Sequence, residues 1–178
     1  METDSQPTLS IPMSKSKTAL IALGSFLFAV GGLAMCVVGL VWPIPGVGIG
    51  AAAALFFGPI GVFATRRLLD PTPALLVDAT GIVDNSSAVS VGKIAWAEIT
   101  AISTSEVVGQ RFVNIHVVDP SRFLSQGNVV QRFFRRLNAR MVGTPISISP
   151  NALPLSFDDL HSLLVRAFES YKPPGTGV

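Results

Sequence analysis

Arg122, Arg132, Arg135, Arg136 and Arg140 form the densest cluster of charge in the chain, with no acidic residue between the first and the last. Guanidinium forks at such spacing suit phosphate and carboxylate oxygens. Beside an anionic leaflet each basic side chain contributes about 1 kcal/mol, before screening over ~8–10 Å. Arg132, Arg135, Arg136 and Arg140 share one side of a helical pattern and are the candidate lipid- or partner-binding residues. Val130, Phe133, Phe134, Leu137 and Met141 take the opposite side. Three arrangements fit this pattern. The apolar side packs on a sheet and leaves the arginines in water; the helix lies at a headgroup boundary; or the arginines meet an acidic protein partner.

Other reactive types are sparse. His116 alternates with Phe112 and Asn114 on one strand face, and His161 falls on the polar side of the last helical pattern. Asp158-Asp159-x-His161 resembles a ligand set only superficially, because carboxylates at a helix start are favoured by the helix dipole. No His pair stands at metal-ligand spacing, and no Gly-x-Ser-x-Gly elbow is present. Gly46-x-Gly48-x-Gly50 sits inside an apolar stretch, not between a strand and a soluble helix, so it is not a phosphate loop. The single cysteine, Cys36, makes neither an internal disulfide nor a thiolate cluster. Leu33-Ala34-Met35-Cys36 is a poor lipoprotein box, with a bulky Met before the Cys and apolar residues after it. The expectations are no catalytic residues, no metal, no cofactor and no enzyme activity. The net charge of +2 is too small to imply a nucleic-acid partner.

The elements that position these residues follow from composition. Of 178 residues, 49% are hydrophobic and 13% charged, against about 25% charged in a typical soluble domain. Mean hydropathy is +0.54. No Asp, Glu, Lys, Arg or His occurs between Lys17 and Arg66. That stretch excludes an ordinary soluble domain, a disordered chain and a disulfide scaffold. It divides into two apolar segments, 18–42 and 46–65, each near the roughly 20 helical residues a bilayer requires. Trp42 suits an interface, and Pro43-Ile44-Pro45-Gly46 reads as a tight turn. Gly46, Gly50, Ala54 and Gly58 recur every fourth residue, a stripe of small residues for hairpin packing, with homodimer packing as the rival. Lys15 and Lys17 before the pair, Arg66 and Arg67 after it, and an uncharged turn place both termini in the cytoplasm by the positive-inside rule. The bilayer is the first expected partner, followed by a membrane protein or a second copy.

The remainder has a different rhythm. Residues 1–17 read as a flexible tail and 173–178 as a second one, with Pro173-Pro174-Gly175 as a stop. Within 68–172, strand patterns at 74–78, 82–84, 91–94, 99–107, 111–118 and 145–148 are separated by turn signals. Asn128 and Gly143 bracket an inserted amphipathic helix at about 129–142. Ser156 with Asp159 three residues on opens a last helix, with Phe157, Leu160, Leu163, Leu164, Ala167, Phe168 and Tyr171 on its apolar face. The fold class is therefore α+β: a transmembrane α-hairpin, then antiparallel strands closed by a C-terminal helix.

Several motifs recur in a familiar order: Pro73-Ala74-Leu75-Leu76-Val77-Asp78-x-x-Gly81-Ile82, then Ile94-x-Trp96-x-x-Ile99, then Gly143-Thr144-Pro145-Ile146-x-Ile148, then Leu160-x-x-Leu163-Leu164. Over residues 15–170 the chain resembles a family of small bacterial inner-membrane proteins. Their two N-terminal transmembrane helices precede a cytoplasmic domain similar to bacterial pleckstrin-homology domains. The resemblance implies a split-barrel PH-like domain and a plasma-membrane location, and it carries over no catalytic residues. The role expected is a membrane-anchored, non-enzymatic interaction or scaffold module. The alternatives are an anionic-lipid-responsive regulator and an accessory subunit of a larger membrane complex.

Overall fold

Two long helices, charged only near their outer ends at Lys15, Lys17, Arg66 and Arg67, dominate the first part of the architecture. In the computed structural model, which describes residues 8–41 and 46–171, strand β1 (Leu9–Ile11) precedes helices α1 (Lys15–Val41) and α2 (Gly46–Leu69). Strands β2 (Leu75–Asp78), β3 (Gly81–Asp84), β4 (Gly92–Ala95), β5 (Ile99–Val107) and β6 (Gln110–Val117) follow. Helices α3 (Pro120–Ser125) and α4 (Val129–Val142), strand β7 (Ile146–Ile148) and helix α5 (Phe157–Tyr171) complete the chain. The expected interfacial Trp42, the turn at 43–45 and the stop at 173–175 lie outside the described residues.

The chain divides into two units. One holds residues 14–71, the helical pair; the other holds residues up to Met13 together with everything from Thr72. The assignment of 1–17 as a tail needs correction. Leu9, Ser10 and Ile11 pair antiparallel with Val77, Leu76 and Leu75, and Lys15 and Lys17 belong to α1. Ile11 is 5% exposed, so burial offsets the entropy of ordering this short strand. The helices also overrun the apolar segments, from 18 back to 15 and from 65 on to 69, because Lys and Arg are good helix formers.

In the helical unit α1 and α2 pack along their length through small residues. Thr18, Ala22, Ser25, Ala29 and Gly32 line the contact from α1, and Gly46, Gly50, Gly61 and Ala64 from α2. Their outer faces are exposed and apolar, with Leu20, Leu27, Leu40 and Leu55 each more than 60% accessible. Pro59 lies inside α2 without ending it.

In the strand-bearing unit two antiparallel sheets form, in the orders β1-β2-β3-β4 and β5-β6-β7. Among the described residues no ladder joins one to the other, so the sheets are not closed into a barrel. Asp78 organises the β2–β3 turn: its Oδ1 accepts from the Thr80 N–H (2.7 Å), the Thr80 hydroxyl (2.6 Å) and the Gly81 N–H (3.1 Å). Gly81 itself has φ +154, and a Cβ there would collide with the Ile94 carbonyl. The core gathers Leu75, Val77, Ile82, Ile94, Val113, Ile115, Ile146 and Ile148 from the sheets, with Leu160 and Leu164 from α5. Trp96 fills it rather than facing a ligand: its indole N–H donates to the Asp78 carbonyl (2.8 Å) and its ring stacks on Tyr171. Asp119 caps α3, which buries Phe123.

Candidate functional site

Helix α4 is defined at both ends by its own sequence. The Asn128 side chain accepts from the Gln131 N–H (2.9 Å), and Gln131 Oε1 accepts from the Asn128 N–H (3.0 Å), a reciprocal cap. Gly143, with φ +80, closes the other end through its N–H to the Ala139 carbonyl. The helix packs against β7 and α3.

What fixes its roll is Arg135. This side chain is 3% exposed, and its guanidinium donates to four backbone carbonyls. Nε reaches Val89 (3.0 Å), Nη2 reaches Ser90 (2.6 Å), and Nη1 reaches both Phe123 (3.2 Å) and Gln126 (2.9 Å). A planar fork with five donors suits such a cage, which ties the 89–90 loop and the α3–α4 connection to one residue. Burial lowers the proton affinity of the guanidinium, and the nearby Asp84 carboxylate opposes that shift. Asp84 is 2% exposed and accepts from the N–H and hydroxyl of Ser86. Gln131 adds a further tie, donating to the Ala88 carbonyl (2.8 Å).

The consequence reverses the arrangement in which the apolar stripe packs and the arginines face water. At ~100° per residue, side chains two positions from Arg135 leave the helix on nearly the opposite side. Phe133 and Leu137 therefore point outward, with Phe133 62% exposed, and Val129, Val130 and Met141 are exposed with them. The four expected arginines do not form one set. Arg135 is inside, Arg132 is half-buried, and Arg136 and Arg140 are exposed along the border of the apolar band. Arg122 is separate from them, ion-paired with Glu98. Among the described residues, Arg132, Arg136 and Arg140 have no ion pair.

Beside α4 runs a cleft of about 260 Å³ lined by Ser86, Ser87, Phe112, Phe134, Asn138 and Ser149, among others. It offers hydroxyls, amides and two aromatic rings, and no lining side chain is acidic, basic or a thiol. The histidines lie elsewhere. His116 Nε2 is 2.7 Å from the Ser103 hydroxyl, and His161 stacks on Phe157. Asp158 pairs with Arg111 (3.1 Å), while Asp159 accepts from the Ser156 hydroxyl (2.6 Å). The Asp158-Asp159-x-His161 run is thus divided among three different neighbours. Among the described residues no three His, Cys, Asp or Glu side chains converge.

In the hairpin, Gly46 and Gly50 face α1, and a Cβ at Gly32 would fall 2.6 Å from the Gly50 carbonyl oxygen and 3.0 Å from the Ala54 nitrogen. Gly58 lies off the stripe, with nothing within 4 Å of where its Cβ would be. A four-residue repeat drifts ~40° per step around a helix, so the contact passes to Gly61 and Ala64. Cys36 donates its thiol to the Val47 carbonyl (3.4 Å), inside the hairpin.

Sequence reasoning missed β1 and the inward turn of Arg135. The alternation Leu9-Ser10-Ile11 was a signal for the strand. For Arg135 the only cue was its position opposite Phe133 and Leu137. Compared with family models, curated proteins and solved structures, the chain matches none.

Proposed function

We propose that this chain is a membrane-anchored, non-enzymatic interaction module, held by a two-helix hairpin at the cytoplasmic face of a bacterial plasma membrane. The observation that carries the reading is the pair of helices of 27 and 24 residues whose apolar outer faces are uncovered. Only 17% of each apolar window is buried, whereas the core helix of a soluble protein is mostly buried. Small residues inside and large apolar residues outside are what helix packing in lipid favours.

The β1–β2 ladder supports an even number of crossings. Its strands flank the hairpin in sequence and share one sheet, so both ends of the hairpin belong in one compartment. Lys15, Lys17, Arg66 and Arg67 favour the cytoplasm as that compartment by the positive-inside rule. Two antiparallel sheets with α5 packed on β5 and β6 supply the elements of a pleckstrin-homology-like domain, with the first strand donated from before the hairpin.

The test is extraction and topology of the full chain carrying a C-terminal tag. The chain should stay with membranes in alkaline carbonate, and the tag should resist protease on intact spheroplasts until they are lysed. Recovery in the aqueous fraction, or cleavage of the tag from outside, overturns the reading.

A further inference from the structure

We propose that α4 is an interfacial membrane helix whose outward apolar face enters an anionic leaflet while Arg132, Arg136 and Arg140 hold lipid phosphates. The proposal rests on the anchoring described above, since the hairpin is what keeps a bilayer within reach.

The apolar face cannot be an accident of a loosely set helix. Turning it inward would pull Arg135 from four carbonyls, buried at Phe123 and part-buried at the other three, and Gln131 from Ala88, leaving those acceptors without their donors. The fold thus holds Val130, Phe133, Leu137 and Met141 outward although water disfavours each of them. Large apolar side chains on one face with basic ones at its edge are the composition of a helix that lies in the headgroup plane.

Charge decides the occupant. The sequence contains no Asp or Glu between Asp119 and Asp158, so nothing acidic on α4 or its flanks competes for the three guanidinium groups. α3 and β7, on which α4 packs, contain no acidic side chain, while Asp84 is buried with Ser86 and Glu98 is paired with Arg122. An anionic surface of phosphates complements this border, and arginine takes phosphate oxygens in a bidentate manner. Residues 70–74 alone separate α2 from β2, so the leaflet is a permanent neighbour and a modest contact is enough to be occupied.

The experiment uses the full chain in a Cys36→Ala background with Leu137→Cys or Met141→Cys carrying an environment-sensitive fluorophore. The chain is reconstituted in phosphatidylcholine vesicles, with or without roughly 30% phosphatidylglycerol. With the anionic lipid, quenching by a water-soluble quencher should fall about fivefold, and added salt should restore it. Changing Arg132, Arg136 and Arg140 together to Gln should abolish the lipid dependence while the chain still resists carbonate extraction. Equal quenching in both lipids, or a lipid effect unchanged by the triple substitution, overturns the proposal with the anchor intact. Protection that tracks protein density rather than lipid charge signifies a protein contact and overturns it too. Loss of the chain from the vesicles in carbonate instead defeats the anchoring reading.

Discussion

Arg135 shows how one side chain sets the chemistry of a surface it does not belong to. Its four carbonyl bonds keep α4 rolled with Phe133 and Leu137 outward. Arg135→Met should cost about 2–4 kcal/mol in chemical denaturation, because carbonyls lose a charged donor and Asp84 loses a nearby cation. Arg136→Ala, on the exposed border, should stay within about 0.5 kcal/mol of the parent. Asp78 gives a second residue-level prediction. The Thr80 hydroxyl, ahead of the Thr80 and Gly81 N–H groups and Lys93, holds its carboxyl below the ordinary carboxylate range against a smaller opposing effect of burial. A folded-state pKa depressed in this way contributes stability above the unfolded value of about 3.9, and that contribution is lost as pH falls through the folded value. Thermal melts of the parent and Asp78→Asn should therefore differ most near neutrality and converge under acid. A gap that widens on acidification would reverse the sign and contradict the assignment.

At the scale of elements, the hairpin contact separates glycines that look alike in sequence. Gly50→Leu should drive the helices apart and lower the melting temperature in detergent, since a side chain there meets the Gly32 backbone and Cys36. Gly58→Leu should be close to neutral, because the space beside it is open. The two variants measured side by side check the register of the pair. Legibility at this scale followed local chemistry. The boundaries of α4 were readable from Asn128 and Gly143, whose cap geometries are built from neighbours in sequence. The strands from β2 to β7 were readable from alternation and turn residues. The roll of α4 was not readable, because an amphipathic pattern identifies two faces without saying which one is turned inward. That choice depends on carbonyls at positions 89, 90, 123 and 126, which only the tertiary fold gathers. Gly58 escaped for a simpler reason: a repeat of four matches the helix period poorly over several turns.

For the molecule as a whole, the order of strands carries the most weight. β1 stands before the two apolar helices and β2 after them, yet they are neighbours in one sheet. Removing residues 2–11 should expose the β2 edge and make the strand-bearing unit more sensitive to limited proteolysis. Carbonate extraction should remain unchanged, because no hairpin residue is touched. The strand was easy to pass over in sequence, since the alternation Leu9-Ser10-Ile11 is its one cue and four residues between Pro7 and Pro12 are too few for a sustained pattern.

Under the two-crossing topology proposed above, that same ladder gives biogenesis a built-in check. Leu9–Ile11 is made before the two helices and waits while more than sixty residues follow before Leu75 arrives to meet Ile11. A nascent chain that threads only one of its two apolar helices would strand the early segment across the bilayer from its mate. On the proposed topology the sheet is completed only in chains whose two helices have both crossed, and half-inserted ones keep an unpaired β2 edge open to proteases.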